Sequence, residues 1–261
     1  LDPFASGLLL LGINEGTKIA ALFLTAEKSY CGVVALGVET DTQDCTGKIL
    51  ETREVPSLGE MEIEKLQGAF TGTLQQIPPM FSALKRKGVR LYRLARQGQS
   101  VPRPARSIKV GRLRLWKLNA TEIGFEIACS KGTYIRTLAA DMGRFLGCGG
   151  HLKSLRRLSC GHLNIDQAVS LSGIEILRHN GKIPLLSLNQ ALEYLRAVRL
   201  EDHFLSQLRM GQQEALDGLA APKEGEKMLR LVDSEENLIA LAEWVNDLTG
   251  GRWRLFRVFG S

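Results

Sequence analysis

The chain has little of what would tie it to an oxidising compartment, a membrane or a nucleotide. Its five cysteines, Cys31, Cys45, Cys129, Cys148 and Cys160, are odd in number, scattered, and form no C-x-x-C pair. That usage fits a reducing compartment better than a disulfide framework, so a cytoplasmic protein is expected. No apolar run approaches a membrane span, and the early run from Leu8 to Leu11 lacks the basic flank of a signal peptide. There is no phosphate-binding P-loop and no G-x-G-x-x-G following a strand, which argues against nucleotide-driven chemistry. Acidic residues are missing from one long stretch. Between Lys65 and Lys117 there is no Asp or Glu, while Lys85, Arg86, Lys87, Arg90, Arg93, Arg96, Arg103, Arg106, Lys109, Arg112, Arg114 and Lys117 crowd together. A solvated helix would mix signs to gain i,i+4 pairs. Here the repulsion has no internal relief, and a polyanionic partner is the economical explanation. Pro78, Pro79, Pro102 and Pro104 break any sustained amphipathic helix, so nucleic acid is favoured over an anionic membrane.

What is present supports a folded chain of ordinary composition. With 261 residues, 44% hydrophobic and 24% charged, it is long enough for one large domain, or one of common size plus a small one. The segment EGTKIAALFLT reads as a helix. KSYCGVVALG reads as a strand apolar on both faces, hence internal to a sheet. TDTQDCTGK is a turn-rich loop, and Ser57 with Glu60 suggests a capping box for a helix running to Phe70. Residues 78–106 form a basic insertion bounded by prolines, longer than an ordinary connection. SIKVGRLRLWKL and EIGFEIAC are joined by Asn-Ala-Thr, the pattern of a hairpin. Ile135, Leu138, Met142, Phe145 and Leu146 recur at helical spacing, which predicts a helix over about 133–146 that stops at Gly147. A linker containing NGKIP and a helix over LNQALEYLR lead to short strand-like runs, MLRLV, NLIALAEWV and RWRLFRVF. From about residue 196 this reads as a small separate β-rich domain.

Arg136 is the most anomalous polar residue, because a cation in a first helical turn opposes the macrodipole by about 0.3 to 1 kcal/mol. A solvent-exposed arginine is the plain explanation. Lys131, Gly132 and backbone donors at the same entrance make the other reading an anion site. Asp2 before Pro3 is a routine turn, or a carboxylate whose direction the proline restricts. Tyr30 and Tyr134 are core aromatics or stacking surfaces, and Leu155 is by default core. Cys148-x-x-His151 and Cys160-x-His162 match no standard zinc spacing, so no metal is expected.

Taken in order, LDPFASGLL, the tyrosine of KSYCGVVALGVETDTQDCTGKI, IPPMFSALKRKGVRLYRLARQG, CSKGTYIRTLAADMG and GGHLKSLRRL resemble the TruB family of tRNA pseudouridine synthases over residues 1 to about 163. The last segment resembles, more weakly, a PUA-like RNA-binding domain. The resemblance implies an α+β fold: a pseudouridine synthase core over 1–195, with a mixed, largely antiparallel sheet, flanking helices and a basic thumb at about 78–106, then a PUA-like domain over 196–261. It implies isomerisation of a uridine in the T loop of tRNA (U55) with no cofactor and no metal, by a monomer that needs no protein partner. Asp2 matches the family's catalytic aspartate and Arg136 the arginine that pairs with it. Tyr30 matches the tyrosine that stacks on the flipped base, Leu155 a pocket leucine and Tyr134 a second motif tyrosine. Lys85, Arg86, Lys87, Arg90, Arg93, Arg96, Arg103, Arg106 and Lys131 are the expected RNA contacts. The residue types do not choose between Asp2 as nucleophile and Asp2 as base. The Lys-Pro-x-Gly strand and Gly-His-x-Gly-Thr run that the family places before L-D-P are not in this chain, so weak activity is expected. The alternative is a tRNA-binding or tRNA-folding protein without catalysis.

Overall fold

The computed structural model describes residues 1–179, 181, 184–247 and 250–260. The chain divides into two compact units, one of residues 1–10 and 22–168, the other of 11–21 and 169–261. In the first, strand β1 (Ser6–Gly7) is followed by helix α1 (Ala20–Thr25), strands β2 (Lys28–Leu36), β3 (Val38–Thr40) and β4 (Ile49–Thr52), and helix α2 (Glu60–Ala69). Then come β5 (Gly72–Gln76), β6 (Lys85–Arg86), β7 (Val89–Arg90), α3 (Leu91–Arg96), β8 (Arg106–Lys117), β9 (Glu122–Cys129), α4 (Ile135–Phe145), β10 (Gly150–Cys160) and β11 (Leu163–Asn164). Seven of the strands form one sheet in the order β1-β10-β2-β9-β8-β5, with β11 also on β10. Only the β1–β10 contact in it is parallel. The sheet is thus mixed and largely antiparallel, as expected, and KSYCGVVALG lies inside it.

Alternation along β8 and β10 is broken by a register shift in each. In β8, Ile108 and Val110 point into the core, and a register shift between Val110 and Arg112 lets Leu113 and Leu115 do so as well. In β10, a shift between Leu152 and Ser154 leaves Lys153 as an extra residue. One inserted residue reverses the facing of all that follow. Leu155 therefore shares the face of Leu152, and Arg157 follows it. Against this face pack Leu66 of α2 and Ile135, Leu138, Ala139 and Met142 of α4.

Several boundaries differ from the sequence reading. EGTKIAALFLT begins as a 3-10 helix at Asn14–Ile19 before α1. Helix α2 starts at Glu60, so its cap is Gly59, whose N–H donates to Glu62 at 2.9 Å; Ser57 and Glu60 form no box. Phe145 is 55% exposed, on the outer side of α4, where it meets Phe70 edge-on. The insertion at 78–106 contains the β6–β7 hairpin and α3. Lys87 and Gly88, with φ of 48° and 83°, supply its two-residue turn.

The second unit contains α5 (Leu171–His179), α6 (Leu188–Ala191), β12 (Arg196–Arg199), α7 (Asp202–Arg209), β13 (Met228–Val232), β14 (Leu238–Asp247) and β15 (Gly250–Val258). Four strands form a sheet in chain order, with Leu208, Leu229, Leu231, Ala240, Ala242 and Trp253 in its core. The helix expected over LNQALEYLR is only α6, capped by the Ser187 hydroxyl. The chain leaves it because Arg196–Arg199 pairs in parallel with β13. Of the NGKIP linker, positions 180, 182 and 183 lie outside the described residues.

Candidate active site

Arg136, the second residue of α4, is 6% exposed and every side of its guanidinium is occupied. Nε donates to Asp2 Oδ2 at 2.8 Å and Nη2 to Asp2 Oδ1 at 3.2 Å, a two-point grip on one carboxylate. Nη1 donates to the Thr42 carbonyl at 3.0 Å, and Nη2 also to the Phe81 carbonyl at 2.9 Å. A second carboxylate, Asp44 Oδ2, stands 3.5 Å from Nη1. The cation at the helix entrance is thus neutralised on two sides. It also joins three segments far apart in sequence: the Asp2 turn, the loop between β3 and β4, and the root of the basic insertion.

That loop is built to present Asp44. Its Oδ1 accepts from Thr42 Oγ1, Thr46 N and Thr46 Oγ1 at 2.7, 2.9 and 2.6 Å, and its carbonyl accepts from Thr40 Oγ1 at 2.7 Å. Gln43, at φ 62°, turns out of the loop and accepts from Thr137 Oγ1 of α4 at 2.8 Å. Gln76, buried at the end of β5, holds the start of α4 by accepting from Tyr134 N at 2.8 Å and donating to Tyr134 O at 3.1 Å.

Asp2, Tyr30, Tyr134, Arg136 and Leu155 line one cleft of about 180 Å³, together with Leu1, Thr133 and Ile135. A cavity of roughly 150 Å³ accepts a benzene-sized ring, so this one has room for a pyrimidine. Asp2 stands at its mouth, its side chain 35% exposed against 7% for that of Arg136. Tyr30 and Leu155 come from adjacent strands, β2 and β10. Burial raises the Tyr30 phenol above its usual range, Cys129 adds to the rise, and Arg157 opposes it. Tyr30 therefore carries its proton at neutral pH.

Lys85, Arg86, Lys87, Arg90, Arg93, Arg96 and Arg106 are exposed on the insertion and the start of β8, and Lys131 is exposed in the turn before α4. Two of the basic residues are also structural. Arg86 Nη1 donates to the Pro102 carbonyl at 2.7 Å, and Arg103 is half-buried with its Nε enclosed. Reading the sequence missed Asp44, Gln76, Thr133 and Ile135. Asp44 lies in a segment rich in turn formers, and only the approach of α4 makes it an ion partner. Of the zinc candidates, Cys148 is buried with Sγ against the Gly149 carbonyl, and His151 Nδ1 lies 2.9 Å from the Val38 carbonyl. Among the described residues no group of three or more His, Cys, Asp or Glu could hold a metal ion.

Comparison with known proteins gives the family. A family model described as "TruB family pseudouridylate synthase (N terminal domain)" matches residues 1–135, and one described as "tRNA pseudouridylate synthase B C-terminal domain" matches 136–198. A protein of Nitrosococcus oceani named tRNA pseudouridine synthase B is 40% identical over 252 residues, which cover 95% of this chain and 80% of that protein. One of the same name from Geobacter sulfurreducens is 43% identical over 213 residues, 81% of this chain and 70% of that protein. Among solved structures, "Crystal Structure of a Cbf5-Nop10-Gar1 Complex" has the same fold, with a TM-score of 0.70 at 21% identity over all of this chain and 74% of the other. With a family model matched over more than half its length and relatives of this identity, the chain belongs to the TruB family of pseudouridylate synthases.

Proposed function

We propose that the chain converts a uridine in the T loop of tRNA, position U55, to pseudouridine. The observation that carries this is the Asp2–Arg136 pair at the mouth of a pyrimidine-sized cleft, in a chain whose relatives bear the name tRNA pseudouridine synthase B. A uridine in a folded loop must leave its stack to be reached, and an aromatic ring plus a cationic grip repay part of that cost. Tyr30 supplies the ring, with Leu155 beside it. The exposed cations of the insertion and Lys131 hold the phosphates. Asp2, with both oxygens fixed by Arg136, then acts on the nucleoside as nucleophile or as base. Tyr134 is held by Gln76 and shapes the cleft wall. No step requires a redox change or an external energy source.

For residues 196–261 we keep the PUA-like reading. A core and a four-stranded sheet of their own support a module that adds shape-based contact to the RNA. Free thiols at all five cysteines suit a cytoplasmic enzyme. The test is to treat a tRNA transcript with the chain and map pseudouridine by carbodiimide adduct and primer extension. A stop at U55, absent from a U55C transcript, is expected. Modification elsewhere, with U55 untouched, would refute the assignment.

A further inference from the structure

Leu8 ends the segment that carries Asp2, and one residue holds both of its backbone groups. Its N–H donates to the Arg157 carbonyl at 2.9 Å, and its carbonyl accepts from Arg157 Nε at 2.6 Å. Between Asp2 and Leu8 the chain has little freedom. Ala5 N–H closes a turn on the Asp2 carbonyl at 3.0 Å, and Ser6 and Gly7 pair with Arg156 and Arg157. Gly7, at φ 102°, runs so close to β10 that a Cβ there would stand 2.2 Å from the Arg157 carbonyl oxygen. The backbone and side chain of Arg157 thus fasten the segment that presents the carboxylate.

The same residue faces the opposite wall. Arg157 is the direct partner of Tyr30 across the β2–β10 ladder, on the face that the Lys153 bulge turns toward the cleft. With Nε spent on Leu8, the outer nitrogens of its guanidinium are left for this cross-strand contact with Tyr30, where the cation favours the ionised phenol. The other groups around Tyr30 do not duplicate this contact. Lys28, on the same strand, spends its ammonium on the carbonyls of Phe23, Leu24 and Ala26 at 2.8, 3.1 and 2.7 Å. Cys129 on β9 and Cys160 on β10 are buried thiols, and Asp2 and Arg136, across the cleft, are paired with each other.

We propose that Arg157 is a positioning residue: one guanidinium that fixes the Asp2 segment and the Tyr30 ring in a single register on two sides of the cleft. The proposal rests on the isomerase reading for its kinetic consequence, but not for its structural one. A planar fork is needed, because a lysine ammonium is a point charge that cannot span a carbonyl and a phenol in fixed geometry.

The test uses the whole chain with Arg157→Met and Arg157→Lys. Turnover and KM are measured on a tRNA transcript, hydrogen exchange on the peptide spanning Asp2 to Leu8, and Tyr30 ionisation by ultraviolet difference against Tyr30→Phe. Arg157→Met is expected to lower kcat on the order of 10²-fold, the loss typical of an ångström of misplacement, with KM for tRNA nearly unchanged. Exchange in the Asp2–Leu8 peptide should quicken, and Tyr30 should ionise at higher pH, because a cation that opposes the effect of burial is gone. Arg157→Lys keeps a cation near Tyr30 and should quicken exchange while moving the tyrosine titration less. If the methionine variant does not fold, the lysine variant decides alone. A raised KM with kcat retained would make Arg157 a phosphate contact, and unchanged exchange and titration would remove the coupling; either overturns the proposal. If the unsubstituted chain makes no pseudouridine, the isomerase reading fails, and exchange and titration still report whether Arg157 joins the two walls.

Discussion

Arg136 carries more of this structure than a first-turn arginine would suggest. Solvent exposure, the plain reading of its position, would have made it dispensable to folding. Instead it is enclosed among Asp2, Asp44 and two carbonyls. Removing one member of a buried charge pair costs about 3 to 5 kcal/mol, because its partner stays buried without compensation; Asp2 is partly solvated, so Asp44 bears most of that cost. Arg136→Ala should therefore lower the denaturant midpoint as well as abolish turnover, and a melt superimposable on that of the parent would show that the enclosure is not stabilising. The core beneath the sheet makes a separate prediction. Cys129 is buried on β9, and burial pushes its thiol up to about 11. At pH 8 on the order of one molecule in a thousand is then thiolate, and the thiolate is the reactive form. Alkylation followed by mass spectrometry should modify exposed Cys45 and spare Cys129. Rapid labelling of Cys129 would mean that β9 and α4 do not pack as described.

The β1–β10 contact and the basic insertion act as elements, and each has its own test. Gly7→Ala forces a methyl into the backbone of Arg157 and strains a positive φ. It should pull β1 away and reduce turnover at least as far as the Arg157 variants, with tRNA affinity retained. Equal turnover in the parent and Gly7→Ala would show that the contact does not position Asp2. Neutralising Lys85, Lys87 and Arg90, which leaves the Arg86–Pro102 tie in place, should flatten the salt dependence of tRNA binding. Each lost phosphate contact changes the log-log slope by about 0.7 to 0.9; an unchanged slope would detach this hairpin from RNA. These elements were unequally readable in the sequence. Helix α4 announced itself because Ile135, Leu138 and Met142 face a continuous apolar sheet, and β2 because it is apolar on both faces. The α2 cap was misplaced by two residues, since Ser57 and Glu60 satisfy the same spacing rule as Gly59 and Glu62. LNQALEYLR has helical composition, and pairing between β12 and β13 overrides it. Asp2, Tyr30, Arg136 and Leu155 could be named from motifs. Asp44, Gln76 and Arg157 could not, because their roles arise only when distant strands and α4 meet.

Charge is divided unequally over the molecule. The first unit holds 22 Lys and Arg against 14 Asp and Glu, and the second 12 against 14, so the unit with the cleft carries +8 and the other −2. Counterion release should follow the same division. Neutralising Lys223 and Lys227 is expected to leave the salt slope of tRNA binding unchanged, and a fall equal to that of the thumb variants would place the electrostatic grip in the second unit. Net charge explains attraction to a polyanion, however, and not chemistry, which in the proposed function falls to the carboxylate that Arg136 holds at the cleft. The most direct measurement is tritium release from tRNA labelled at C5 of uridine, with the parent chain and Asp2→Asn compared at equal tRNA occupancy. Release that is slow but clear with the parent and absent with Asp2→Asn is the expected result. No release by the parent while it binds tRNA, or equal release by both, would contradict catalysis by Asp2.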